Sequence, residues 1–132
     1  MARLRIEIVT PRRRVLSEEV DEVVLPGVLG ELGVLPGHTP LLTALGTGPL
    51  RTITSGRSAV LAVAGGFAEV LPERVTVLAM VAERPDEVDV EAARSELELT
   101  ARELKGAAAE QLDELTERQR LAETRLAVAG GS

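Results

Sequence analysis

The sequence contains no cysteine, which removes disulfide frameworks, thiolate metal sites and thiol nucleophiles together. A reducing compartment suits such a chain without being required by it. Phe67 is the only Phe, Trp or Tyr, so stacked bases and stacked sugars find no platform, and a core must be assembled from Val, Leu, Ile and Ala. A single histidine, His38, excludes a histidine metal cluster, and no group of carboxylates has ligand spacing. No run approaches the roughly 20 apolar residues of a membrane helix. Met1–Arg5 lacks the apolar stretch of a signal peptide. An excess of positive charge is missing too: the formal net charge is −6, so nucleic acid would gain nothing from counterion release.

What is present divides unevenly. Residues 1–85 carry nine acidic and nine basic side chains and sum to zero. Residues 86–132 carry twelve acidic and six basic, and so hold the whole −6. Gly and Pro are spread through the first part, whereas Ala, Glu, Leu and Arg dominate the second. Two differently built domains are expected, 1–85 and 86–132.

Residues 1–85 read as short strands. Leu4-Arg5-Ile6-Glu7-Ile8 alternates apolar and charged positions, the period of a strand with one wet face. Pro11 and Arg12-Arg13-Arg14 read as a solvated turn. Further strands are expected at Val20–Leu25, Leu50–Thr54, Ala59–Ala64, Phe67–Leu71 and Val75–Val81, with turns at Ser55-Gly56, Gly65-Gly66 and Pro72-Glu73-Arg74. Gly27, Gly30, Gly33 and Gly37, with Pro26, Pro36 and Pro40 nearby, predict a turn-rich loop. Leu29, Leu32, Val34 and Leu35 cannot all be buried by such a loop, and some of them should face a partner. Many short strands with frequent turns predict an antiparallel sandwich or barrel.

Beyond Pro85-Asp86 the period changes. Asp89 is placed to cap a helix, with Glu91 in its first turn. Val90, Ala93, Leu97, Ala101 and Leu104 form one stripe, and Ala108, Leu112, Leu115, Ala122 and Leu126 a second, with Gln119 as a polar break. Gly106 separates them, which predicts an antiparallel helical hairpin. Its stripes are rich in Ala and bury little apolar area. The hairpin is therefore either a loosely docked, movable element or a fixed appendage.

Enzyme chemistry finds little support. Nothing places a nucleophile beside His38. The Gly27–Gly33 run lacks the Gly-Lys-Ser/Thr and the helix N-terminus of a phosphate loop.

The stretch Leu25-Pro26-Gly27-Val28-Leu29-Gly30-Glu31-Leu32-Gly33-Val34-Leu35-Pro36-Gly37-His38-Thr39-Pro40-Leu41-Leu42-Thr43 strongly resembles the signature of the ε subunits of bacterial F-type ATP synthases. Gly65-Gly66-Phe67-Ala68-Glu69-Val70 resembles a second block of that family, and Val75–Leu78 with Ala82-Glu83 matches the strand and exit that follow. The resemblance implies an α+β fold, a flattened antiparallel β-sandwich followed by a two-helix hairpin. It implies a non-catalytic rotor subunit of the central stalk, without cofactor or metal, in a proton- or sodium-driven synthase. It implies contact with the γ subunit and the c-ring through Glu31, Leu32, Gly33, Val34 and His38, Glu31 toward the c-ring and His38 toward γ. The location implied is peripheral, on the cytoplasmic face of the bacterial plasma membrane.

In the same family the hairpin can extend into the catalytic head, meet the β subunit (and α) and inhibit ATP hydrolysis. The resemblance makes Arg118, Arg120 and Arg125 the candidates for that contact. A solvated helix face with pairs such as Glu114–Arg118 accounts for them equally. Some members bind ATP through Ile/Leu-Asp-x-x-Arg-Ala. Here the matching stretch is Val88-Asp89-Val90-Glu91-Ala92-Ala93, so Asp89 is retained and the Arg position holds Ala92. Arg94 lies about 200° further around a helix at ~100° per residue and does not replace it. Weak or no ATP binding is expected, the alternative being an ATP-sensing module whose hairpin closes on the nucleotide.

Overall fold

The computed structural model describes residues 2–130. Eight strands precede two helices: β1 Leu4–Val9, β2 Arg14–Val20, β3 Glu22–Gly27, β4 Gly30–Val34, β5 Leu41–Ala44, β6 Gly48–Thr54, β7 Arg57–Val70, β8 Arg74–Glu83, then α1 Val90–Leu104 and α2 Leu112–Ala129. The alternation of β1 is fully expressed: Leu4, Ile6 and Ile8 are completely buried, while Arg5 is exposed. The same period-2 rule buries Val23 and Leu25 of β3, Leu61 and Val63 of β7, and Val75 and Val77 of β8. These residues, with Val20, Val34, Leu50 and Val70, form one aliphatic core.

The strands follow the order β2-β1-β8-β7-β6-β3-β4, with β5 added beside β7. Neighbours are antiparallel except β1 and β8, which run parallel from Arg5↔Arg74 to Val9↔Leu78. The long β7 belongs to both layers of the sandwich. Its first half pairs with β6 and its second half, Phe67–Val70, with β5. The change of direction occurs at Gly65 and Gly66, whose φ values are +69° and +98°. A Cβ at Gly66 would run into the Leu78 carbonyl oxygen of the adjacent strand. Only glycine therefore permits β7 to turn the corner while staying hydrogen-bonded to β8.

Four local readings are corrected. Ala59–Ala64 and Phe67–Leu71 are parts of one strand rather than two. Arg14 opens β2, a strand that the basic run conceals. The turn-rich Gly27–His38 segment is a hairpin in its first part, where β3 and β4 pair from Val23↔Val34 to Gly27↔Gly30, and beyond it residues 35–38 are turn and coil. In the helices, Ala101 is exposed and Thr100 is buried in the inward position one residue earlier, its hydroxyl donating to the Glu96 and Leu97 carbonyls.

Asp89 caps α1, its carboxylate accepting from the Ala92 N–H at 3.0 Å. The helices pack on each other, and α2 also lies on β6 and β7. Two faces of α2 divide this work. Leu115, Ala122 and Leu126 share one side and Glu117, Leu121, Thr124 and Val128 the other, while Arg118 and Arg125, about 20° apart at ~100° per residue, lie together on the flank between them. Between sandwich and hairpin, a 3-10 turn at Pro85–Glu87 is tied to the sandwich. The Glu87 carboxylate accepts from the Arg84 N–H and from the Arg13 guanidinium at 2.8 Å.

Candidate interaction surfaces

The β3–β4 hairpin presents its turn to solvent. Gly30, at φ +126°, closes the turn, Val28 is exposed, and Leu29 is 100% exposed at its tip. The residues singled out by sequence are distributed around this hairpin, not gathered at one point. Glu31 stands outward, within 3.8 Å of Arg51. Gly33 is exposed, Leu32 is half-buried against the core, and Val34 is completely buried within it. Val34 thus offers no surface and supports the hairpin from beneath. His38 is half-buried in the next turn, where its N–H donates to the Leu35 carbonyl and Nδ1 lies 2.6 Å from the Thr39 carbonyl oxygen. The β7–β8 turn braces this segment, the Pro72 carbonyl accepting from the Gly37 N–H at 2.7 Å. A ring engaged with its own neighbouring backbone suits a structural role better than a catalytic one.

A second surface escaped the sequence reading. Phe67 of β7 and Leu78 of β8 are register partners on the outer face of the sheet, 56% and 55% exposed. Met80 follows on the same face at 66% exposure, Val9 is the β1 partner of Leu78, and Leu42 of β5 lies diagonally from Phe67. The sole aromatic ring thus occupies an uncovered apolar patch instead of the core. The signal was available: period 2 through Phe67-Ala68-Glu69-Val70 buries Ala68 and Val70 and turns Phe67 outward. Contiguous exposed apolar patches of this kind are a general mark of docking surfaces.

The third surface is the seat of the hairpin. Arg125 makes a two-pronged ion pair with Glu83 at the end of β8, at 2.7 and 3.0 Å. Thr47 donates to Glu117 at 2.9 Å. Within the hairpin, Arg118 forks onto Glu96 of α1 at 2.9 and 2.8 Å and reaches Glu103 at 3.9 Å. Arg118 therefore bridges the two helices, and the pair expected with Glu114 is not the one made. Arg120 pairs with Glu117 beside Thr47 and the β3–β4 turn, both side chains remaining partly exposed. The hydrogen bond from Arg118 holds the Glu96 carboxyl below its ordinary value, against the opposing effect of burial, and raises Arg118. Glu87 is lowered first by the Arg84 backbone N–H and then by Arg13.

Asp89 lies at a cleft of about 380 Å³ beside this seat, lined by Glu83, Glu87, Asp89, Ala92, Ala93, Glu96 and Arg125. Four carboxylates flank one guanidinium, which is already committed to Glu83. Arg94 is elsewhere, paired with Glu91 at 2.8 Å on an exposed face. A triphosphate entering this cleft meets net negative charge. Among the described residues no cluster of His, Cys, Asp or Glu could hold a metal ion, and no helix is long and apolar enough to cross a membrane.

Comparison with known proteins bears on these surfaces. Residues 3–85 match the family described as the ATP synthase, Delta/Epsilon chain, beta-sandwich domain. The ATP synthase epsilon chain of Desulforamulus reducens is 54% identical over 91 residues, 69% of either chain. That of Citrifermentans bemidjiense is 49% identical over 104 residues, covering 79% of this chain and 75% of that one. Among solved structures, a chain of the Euglena gracilis mitochondrial ATP synthase, in an assembly of OSCP, F1 and c-ring, has a TM-score of 0.83. It shares 22% identity, with 96% of this chain and 81% of that chain covered. A chain of the Tetrahymena thermophila mitochondrial ATP synthase, from its central stalk and c-ring, has a TM-score of 0.66 at 14% identity, covering 96% of both chains. At those identities the solved structures establish the shared fold, with sandwich and hairpin together.

Proposed function

This chain belongs to the delta/epsilon family of ATP synthase subunits, and from that premise we propose that it is a rotor foot with a hairpin brake. As an epsilon chain it is a non-catalytic subunit of the synthase. The finer assignment joins the γ subunit to the c-ring at the base of the central stalk, on the cytoplasmic face of the bacterial plasma membrane. The observation that carries it is the pair of apolar surfaces left uncovered by a completed core. The broad outer-face patch at Phe67, Leu78 and Met80 suits a permanent seat on γ, since its apolar area is flat and backed by rigid sheet. The narrow β3–β4 tip, with Leu29 at its end and Glu31 beside it, suits the polar loops of a c-ring. His38 lies in the turn that follows β4, half-buried, and is assigned to the γ side.

The brake reading concerns Arg118, Arg120 and Arg125. Two of the three are engaged inside the docked form, Arg118 with Glu96 and Arg125 with Glu83. Extension of the hairpin would free Arg125 from the sandwich and offer it to an acidic segment of the β subunit, with α alongside. The charge of the Asp89 cleft supports docking without ATP, so the nucleotide-sensing reading is the weaker one.

The test is ATP hydrolysis by a bacterial catalytic head stripped of its own epsilon chain, titrated with the full chain and with a chain ending at Glu87. Inhibition by the full chain and binding without inhibition by the shorter one is the expected pair of results. Binding by both with inhibition by neither would leave a coupling foot and remove the brake. Failure of both to bind would overturn the rotor assignment. Phe67→Asp with Leu78→Asp, at exposed positions, should abolish binding to γ while leaving the sheet folded.

A further inference from the structure

The contacts of α2 fall into two tiers, separated by where their partners lie. On the α1 side are Leu115, Ala122 and the Arg118 fork onto Glu96. Both ion-pair partners there lie within the hairpin. On the sandwich side stand Leu121 and Val128, the Arg125 fork onto Glu83, and the single hydrogen bond from Thr47 to Glu117. Of these two tiers, only the second has anything to lose when the hairpin leaves the sheet.

The chain between sandwich and hairpin is also divided. Pro85–Glu87 is held to the sandwich by the Arg13–Glu87 ion pair, by the Arg84 N–H on the Glu87 carboxylate and by the Arg84 guanidinium on the Val15 carbonyl at 2.6 Å. Asp89 already belongs to α1 as its cap. Val88 stands between these two fixed ends with extended dihedrals, φ −73° and ψ +129°.

We infer that the hairpin leaves the sandwich as one body, swinging about Val88, and that the Arg125–Glu83 fork is the latch that holds it down. This rests on the reading of the hairpin as a movable regulatory element, and specifies how its motion begins. Release of Arg125 comes first and costs the hairpin none of its internal contacts. Separation of α1 from α2 is a second event, since it must break the Arg118–Glu96 fork and expose the Thr100 and Leu115 side chains. A partner that captures Arg125 would therefore undock the hairpin without opening it, whereas a partner that captures Arg118 would also part the helices.

The absence of native cysteine allows the motion to be measured on the full chain with pairs of nitroxide labels. One pair, Ser58→Cys with Glu123→Cys, spans sandwich and α2, and the other, Glu98→Cys with Glu123→Cys, spans the two helices; all three positions are exposed. Pulsed electron resonance distances are compared in the parent, Glu83→Gln and Glu96→Gln backgrounds. Glu83→Gln should raise the long-distance population of the first pair about two- to fivefold, the scale of a partly exposed ion pair, and leave the second pair unchanged. Glu96→Gln should broaden the second pair. An unchanged first pair in Glu83→Gln, repeated in Arg125→Gln, would overturn the latch. Lengthening of both pairs together in Glu83→Gln would overturn the single-body swing. These distances are read without the catalytic head, so they can fail while the hydrolysis test succeeds, and the reverse.

Discussion

Replacing Gly66 by alanine should destabilise the sandwich far more than one methyl group suggests. Two effects add at this position. Its φ of +98° is closed to side-chain-bearing residues at about 1–3 kcal/mol. The new Cβ would also be driven against the Leu78 carbonyl, with the Leu78 carbonyl carbon at 2.9 Å and the Ala79 Cα at 3.1 Å. These are backbone atoms of a paired strand and cannot rotate away, so relief requires β7 and β8 to part. Overpacking of this sort costs roughly a further 1–3 kcal/mol. Gly56 provides the control, since its φ is +78° and a Cβ there meets nothing within 4 Å. Gly56→Ala therefore reports the dihedral effect alone, and Gly66→Ala should exceed it by about 2 kcal/mol. With a urea slope of roughly 2 kcal/mol per molar, the two midpoints should differ by about 1 M. Equal midpoints would refute the reasoning, because they would show that the β7–β8 pairing yields freely at the corner.

Other outcomes follow from single contacts. Asp89→Ala removes the cap of α1 and should cost about 1 kcal/mol, read as faster amide exchange in the hairpin with the sandwich unaffected. The folded-state value of Glu96 lies below its unfolded one, so its contribution is complete above the ordinary carboxylate range and is lost as pH falls through the lower, folded value. Helix signal followed downward from neutral pH should therefore drop at the acid end, and Glu96→Gln should flatten that part of the profile. Calorimetric titration of the full chain with Mg-ATP should give no saturable heat, and Ala92→Arg should not create tight binding while Arg125 remains on Glu83.

Legibility in the sequence followed the kind of interaction at each place. β1 was plain because one face is wet and the other dry, so polarity alternates along the chain, and β8 because Val75–Val81 is a short, β-branched, mainly apolar run that follows a turn. β2 was hidden because Arg14 and the Glu18-Glu19 pair present charge on both sides of a strand at the sheet edge, where side-chain period carries little information. β4 was hidden for a different reason: Gly-Glu-Leu-Gly-Val reads as turn, and only pairing with β3 makes it extended. The Asp89 cap was readable because capping is local. The partners of Arg118 were not, since Glu96 lies 22 residues away and Glu114 on the same helix satisfies every local rule. The Phe67 patch lay between these cases. Its strand was recognised, but the outward direction of an aromatic ring emerges only when its neighbours Ala68 and Val70 are seen to fill the core.

The parallel pairing of β1 with β8 sets an order of assembly. The first strand of the chain cannot acquire this partner until Arg74–Leu78 has been synthesised, so most of the sandwich sequence must emerge before its sheet can close. Long-range closure of this kind is slow compared with helix formation. The hairpin follows from Val90 onward, and it arrives when every strand of its seat already exists. It is an addition to a finished platform, and no strand waits for it. A chain released at Glu87 contains all eight strands and the clasped Pro85–Glu87 turn. Natural variation in the tail can accordingly proceed without reopening the folding problem of the part that carries it.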